Sequence, residues 1–493
     1  MTATILEPGA TCWRIERARR VTFLVDGQDY FGAVRMALAK ARHSVLLLGW
    51  SFDPRTRLQP DGIERGDDAD GIGQVLLDLA RLRPGIDIRV LIWKSALPIA
   101  ASQEFFPHRA RAWFADTAVH FRLDDATPLA GCHHQKAVVV DDALAFCGGA
   151  DFGVDRWDSP AHLDTDARRF DPTYSAHPPR HEVGMMVDGD AARALGDLVR
   201  ERWRRATDET LTQPPPAADD PWPESIRPDT ADTDVAIART EPAWAGRPLV
   251  DEWKRLTLAA IGRARRSIYL ENQYFTSPVI AEALAGRLAE PEGPEVVFIS
   301  AEHSPSWFDR LTMDRTRTLV LRRLHRADVF GRFRAYHPDT SAGRPIIIHA
   351  KLAITDDSLV RIGSANLNNR SSELDTECEL AIAASDETTA GAIERLRDRL
   401  VGHYLGRSAA DVAAAIARHG SLIGGIEALN RHGRLKPITP LRMGGFTSLI
   451  AAYHLGDPIG VDDAWRPWRR KRALAAEVQA VARGDVPSEP ERV

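Results

Sequence analysis

The pattern of apolar and polar positions runs through the same series twice. ARHSVLLLGWSF (41–52) and ARRSIYLENQYF (264–275) each follow an amphipathic helical stretch and run into an apolar segment of strand length. IDIRVLIW (86–93) is paralleled by EVVFIS (295–300), and VHFRL (119–123) by RFRAY (332–336). Helical periodicity separates these runs, as in DGIGQVLLDLARL (70–82) and TRTLVLRRLHRA (316–327). Strands alternating with helices predict an α/β fold in each half. The offset between the first pair is 264 − 41 = 223 residues, which indicates an internal duplication.

Proline marks the boundary between the halves. Residues 206–233 carry Pro214, Pro215, Pro216, Pro221, Pro223 and Pro228 among acidic and small residues. Proline disfavours helix and sheet interiors, so the segment reads as a connector. The expected organisation is a first half over 1–205, this linker, a second half over 234–405, and a helical tail over 406–493 with no counterpart in the first half. Within the tail, WRPWRRKR (465–472) holds five cations and two tryptophans. A membrane contact there competes with the simpler reading of a solvated helix start.

Chemistry is concentrated in an eight-residue pattern that also occurs twice. His134-x-Lys136 leads to Asp141, and His349-x-Lys351 leads to Asp356. The offset between the two histidines is 349 − 134 = 215 residues, and each Asp is followed seven positions on by glycine, Gly148 and Gly363. Only seven of the 64 Lys and Arg residues are Lys, yet both motif positions hold it. The motif overlies strand-like runs, HHQKAVVVDD and IHAKLAITDD. Residues two apart on a strand share a face, so His134 projects with Lys136, and His349 with Lys351. His133 then faces away. An imidazole beside a buried ammonium suits an anion held between them. Ser364 and Asn366, on a glycine turn, offer a hydroxyl and an amide suited to phosphate oxygens. The first half has Gly149 and Asp151 there. An ionised Asp151 would repel phosphate, so a structural role is expected for it. Trp50, Trp157, Tyr274 and Trp307 offer aromatic faces suited to a quaternary ammonium, each competing with ordinary core packing.

Composition narrows the classes. The 493 residues exceed what a single core usually supports. The net charge of −5 gives no overall attraction to a polyanion. Cys12, Cys132, Cys147 and Cys378 have neither metal-type spacing nor the look of a disulfide framework. No metal cluster stands out by spacing. No secretory signal and no transmembrane run is evident, so a cytoplasmic or peripheral membrane location is expected.

The doubled motif resembles the paired HKD motifs of the phospholipase D superfamily. GGADFGVDRWD (148–158), ENQYF (271–275) and GSANLNNRS (363–371) resemble accessory stretches of phosphatidylcholine-type phospholipases D, and the likeness spans about 21–405. It implies two fused α-β-α sandwich domains with mixed sheets, related by a pseudo-twofold axis, with one active site between them. The implied reaction is phosphodiester transfer through a phosphohistidine. His134 would be nucleophile and His349 acid and base, with Lys136, Lys351, Asn366 and Ser364 on the phosphate. Acidic partners for the histidines are expected at Glu182 and at Glu379, which stands 13 residues after Asn366. Asp141, Asp356, Asp151, Gly148 and Gly363 are expected to be structural. The implied partners are a phospholipid at a membrane surface and water or an alcohol as acceptor, with no cofactor, no metal and no nucleic acid, in a monomer. A cardiolipin-synthase-like phosphatidyltransferase and, further off, a nuclease are the alternatives.

Overall fold

A computed structural model describes residues 5–61, 70–96, 106–173, 175–217, 219–461, 463 and 465–484. The first half contributes β1 (Arg14–Val25), β2 (Ser44–Gly49), β3 (Asp87–Trp93), β4 (Val119–Asp124), β5 (Ala137–Val140), β6 (Leu144–Gly148), β7 (Arg180–His181) and β8 (Val183–Asp188). The second contributes β9 (Thr230–Thr240), β10 (Ser267–Asn272), β11 (Glu295–Ile299), β12 (Phe333–Pro338), β13 (Ile347–Ile348), β14 (Lys351–Thr355), β15 (Leu359–Gly363), β16 (Glu377–Ala383) and β17 (Leu435–Pro437).

Fifteen of these strands form one sheet, in the order β17-β12-β11-β10-β14-β15-β16-β9-β1-β8-β6-β5-β2-β3-β4. Apart from β17, the order reads identically outward from the β1–β9 junction: β9 answers β1, β16 answers β8, and β12 answers β4. The mixed sheets of the two halves join into one continuous sheet, because β1 and β9 pair antiparallel from Arg14 opposite Ile237 to Val21 opposite Thr230. That pairing also makes a strand of 230–233, which the proline content had placed in the linker; Pro228 is the last proline before it. The tail likewise supplies a strand, β17, at the edge beside β12.

Strand alternation distributes the core. In β2, Leu46 and Leu48 enter the central cluster, while Val45 and Leu47 enter the outer cluster of the first half. In β10, Tyr269 faces the centre, while Ile268 and Leu270 face the outer cluster of the second half. The central cluster is closed by Trp203 of helix Gly189–Thr207 and by Leu400 and Tyr404 of helix Glu387–Leu405. One core thus runs beneath both halves. Among the described residues, no helix is long and apolar enough to cross a membrane.

The motif aspartates set the turns that launch the central strands. Asp141 accepts from the backbone N–H of Arg42, His43 and Ser44, at 2.7 Å each. Asp356 accepts from Arg265, Arg266 and Ser267, at 2.7, 2.6 and 2.9 Å. Both hold a left-handed backbone, φ 53°, a conformation that Asp tolerates better than most side chains. The duplicated ARHS and ARRS segments are thus equivalent in place, each giving three backbone N–H groups to the aspartate of its own motif.

Candidate active site

Two reciprocal strand exchanges bring the motifs together. Ahead of the first motif, His133 bridges Thr376, and His134 N–H donates to the Thr376 carbonyl at 3.0 Å. Ahead of the second, β13 pairs with β7, and His349 N–H donates to the His181 carbonyl at 2.9 Å. Each motif is therefore seated against the segment that opens β16 or β8 of the opposite half.

These exchanges give each histidine a carboxylate from the other half. His134 Nδ1 lies 2.9 and 3.1 Å from the Glu377 carboxylate oxygens. His349 Nδ1 lies 2.6 Å from Glu182 Oε1, an ion-pair distance that is off line for a hydrogen bond. Glu182 is thus where the sequence placed it, and Glu379 is not. Glu379 lies deeper, 3.1 Å from Arg361 Nη1. Residues two apart on β16 share a face but lie about 6.6 Å apart along the strand, so Glu379 falls two positions beyond the residue that meets His134. Register gives the equivalence directly: Gly148 pairs with Gly184, and Gly363 with Glu379, so Glu377 corresponds to Glu182.

The other candidates divide. Lys136 Nζ donates to the His134 carbonyl at 2.8 Å and lies 3.3 Å from Asp151. Lys351 Nζ donates to the His349 carbonyl at 2.6 Å and to Gln273 at 3.0 Å. Asn366 is buried with an amide oxygen that has no hydrogen-bond partner, so its side chain is uncommitted. Ser364 is not: its hydroxyl donates to Glu377, as does that of Ser371 at 2.6 Å. Ser364 therefore orients the carboxylate instead of meeting a phosphate oxygen. Asp151 accepts from the N–H of Trp50 and Ser51, at 2.8 and 3.2 Å, in line with a structural part. His133 turns to Asp124 and Thr376, at 3.1 and 3.2 Å. A Cβ at Gly149 would stand 3.0 Å from Glu182 Oε2 and from the His349 carbonyl, so only glycine fits comfortably between the halves there. Trp157 packs in the outer cluster, Trp50 stacks on Trp93, Trp307 meets the Phe308 ring, and the Tyr274 hydroxyl meets Gln273 and Asp309.

Sequence reading missed Glu377, Gln273, Ser371 and Arg156. Arg156 belongs to the RWD stretch, and its charge acts on Glu182 and on His349.

Electrostatics mark the surroundings of His349. Burial first, then the cations Lys351, Arg156, Arg180 and Lys136, hold His349 well below its ordinary value. Burial raises the Glu182 carboxyl, against Lys351, Arg156 and Arg180. Burial also raises Glu377, but His134 and the Ser364 and Ser371 hydroxyls outweigh it, and the carboxyl stays below its usual range. Burial draws the Lys351 ammonium down to about 7; Glu182 opposes this and Lys136 adds to it. Two imidazoles fixed by carboxylates, two lysines and a free amide form a site for general acid–base and nucleophilic chemistry on an anion.

Paired His-Lys motifs facing each other on one duplicated α/β sheet define a two-motif class. The family described as "Phospholipase D" matches residues 37–219, and that described as "Cardiolipin synthase, PLD-like domain" matches 257–400. The chain belongs to the phospholipase D superfamily. It is 24% identical to phospholipase D alpha 4 of Arabidopsis thaliana over 74% of this chain and 61% of that one. It is 26% identical to cardiolipin synthase A of Pseudomonas putida over 76% of this chain and 67% of that one. Against phospholipase D1 of Schizosaccharomyces pombe, at 22% identity, it spans 35% of the relative's length. The fold matches the crystal structure of a phosphatidylserine synthase from Haemophilus influenzae, with a TM-score of 0.54 at 14% identity, over 84% of this chain and 96% of that one.

Proposed function

We propose that the protein is a phospholipase D that cleaves the headgroup phosphodiester of a glycerophospholipid, passing the phosphatidyl group to water or to an alcohol. The observation that carries this reading is the crossed pairing of His134 with Glu377 and His349 with Glu182. Each carboxylate sits on Nδ1, which leaves Nε2 of both rings for the substrate.

In this scheme His134 Nε2 attacks phosphorus and forms a P–N bond. The P–O bond to the headgroup breaks, and His349 gives its Nε2 proton to the departing oxygen. His349 then takes a proton from water or an alcohol as that oxygen attacks phosphorus, and the P–N bond breaks. Lys136, Lys351 and the Asn366 amide hold the non-bridging oxygens as charge builds on them. The anionic substrate offsets the cations around His349 and favours the proton it needs as acid. A lipid substrate is supported by Trp307 and Phe308, 75% and 50% exposed. They sit two residues and one residue before Asp309, which ends the chain Lys351–Gln273–Tyr274–Asp309.

A second reading is transfer to a phosphatidylglycerol acceptor, favoured by the match of residues 257–400 to the cardiolipin synthase domain family. Purified protein given phosphatidylcholine and ethanol should yield phosphatidic acid and phosphatidylethanol. Cardiolipin from phosphatidylglycerol, without headgroup release from phosphatidylcholine, would favour the second reading. Activity on DNA but on no phospholipid would defeat both.

A further inference from the structure

Four side chains remote in sequence meet behind the reaction site. They are Asp26 at the start of helix Asp26–Lys40, His162 in the loop after the RWD stretch, His181 in β7, and His403 in helix Glu387–Leu405. Each offers one donor atom, and the four atoms lie within 4.8 Å of one another. Asp26 Oδ2 is 3.6 Å from His162 Nε2 and 3.4 Å from His403 Nε2. His181 Nδ1 is 2.8 Å from Asp26 Oδ1. Asp26 and His181 are fully buried, His162 is 2% exposed, and the His403 side chain is 6% exposed.

None of Asp26 Oδ2, His162 Nε2, His181 Nδ1 and His403 Nε2 has a hydrogen-bond partner. Buried polar atoms left without partners cost free energy, and a cation among these four would satisfy them together. The far sides of two rings are already fixed. His162 Nδ1 is 2.8 Å from Asp158 Oδ2, and His181 Nε2 is 2.8 Å from Glu271 Oε2. A ring N–H given to a carboxylate leaves the opposite nitrogen as a lone pair, the arrangement that orients metal-binding histidines. Bonds of about 2.0–2.2 Å in a tetrahedron put neighbouring ligand atoms roughly 3.3–3.6 Å apart; the 3.4 and 3.6 Å separations from Asp26 Oδ2 lie in that range, and the remaining spacings, all within 4.8 Å, would close on the ion.

We propose that Asp26, His162, His181 and His403 bind one zinc-class divalent ion that clasps the two halves. Three imidazoles and one carboxylate suit a borderline metal of tetrahedral preference better than calcium or magnesium. All four positions are filled by protein, so the site is structural. Three ligands belong to the first half and His403 to the second, and Glu271 of β10 braces His181. Asp26 also accepts from the Glu182 N–H at 3.2 Å, so the ion would steady the carboxylate that faces His349. The competing occupant is a proton. Against the pull of burial, Asp26 and Glu271 hold the His181 imidazolium up to about 10.

The test uses the purified full chain. Elemental analysis after expression in zinc-supplemented medium should find one zinc per chain, kept by His134→Asn and His349→Asn and lost from Asp26→Asn and His403→Gln. Chelator-stripped wild type titrated with Co(II) should give the intense visible spectrum of tetrahedral cobalt, saturating at one equivalent and bleached by zinc. The cobalt titration needs no variant to fold. A folded wild type with neither bound zinc nor a tetrahedral cobalt spectrum overturns the proposal and leaves a proton-held cluster. Zinc lost from the His134 and His349 variants but retained without Asp26 or His403 would overturn it by placing the ion in the reaction site.

Discussion

Glu182, in the first half, places its carboxylate 2.6 Å from Nδ1 of His349, in the second, and Glu377 returns the relationship to His134 at 2.9 Å. Neither motif histidine takes its carboxylate from its own half. The arrangement follows from the two strand exchanges, which seat each motif against the opposite half.

Replacing Glu182 or Glu377 by Gln should lower kcat by about 10²- to 10⁴-fold, since orienting and charge-stabilising a catalytic imidazole contributes on that order. Glu379→Gln should behave differently. It unpairs the buried Arg361, so it should lower stability by about 3 kcal/mol or more while the folded protein keeps most of its kcat. Steady-state rates and denaturant unfolding on the three variants check this. Equal loss of kcat in Glu379→Gln would return the orienting role to that residue.

Asp141 and Asp356 each hold three backbone N–H groups. Hydrogen bonds to a charged group contribute about 1.5–3 kcal/mol apiece and do not add fully. Asp141→Ala should therefore cost roughly 3 kcal/mol or more of stability, read by chemical denaturation. Its KM should stay near the native value at temperatures where it remains folded.

Lys351 sets a pH dependence. Its folded value is drawn down to about 7, so it is cationic below that pH and neutral above. Phosphate-anion affinity in the free enzyme should fall as pH rises through about 7. The fall should appear as an alkaline limb in kcat/KM, which reports the free enzyme. Lys351→Arg should push that limb upward, because a guanidinium stays charged. A limb that does not move would assign it to another group.

Trp307 and Phe308 stand exposed near the Gln273–Tyr274–Asp309 chain. Trp307→Ala with Phe308→Ala should lower activity on phosphatidylcholine vesicles about tenfold, the loss of roughly 1.4 kcal/mol of interfacial binding. Turnover of a monomeric short-chain phospholipid should change less than twofold. Equal loss on both substrates would make the pair part of the chemistry.

Much of this architecture was legible in the sequence because the duplication repeats both strand pattern and motif. The shared face of each His-Lys pair and the outward turn of His133 follow from strand parity, and the structural part of Asp151 from the repulsion its charge would meet at a phosphate. Depth along a strand does not: Glu377 and Glu379 have the same parity, and only the register of β15 against β16 separates them. Ser364 was read as a phosphate ligand because the hydroxyl's nearer partner, Glu377, could not be located. The cluster at Asp26, His162, His181 and His403 has no sequence spacing at all, since two helices, a loop and a two-residue strand supply one ligand each. The single sheet was hidden for a related reason. Nothing in β1 or β9 by itself says that they pair across about 220 residues.

The division of labour between the histidines is tested most directly with a phosphatidyl ester of p-nitrophenol, whose leaving group needs no acid. His349→Asn should release nitrophenol in a burst of one equivalent per chain and then stall, and peptide mass mapping should find the phosphatidyl group on His134. His134→Asn should give no burst. No burst in His349→Asn, or a phosphatidyl adduct on His349 in His134→Asn, would contradict the scheme.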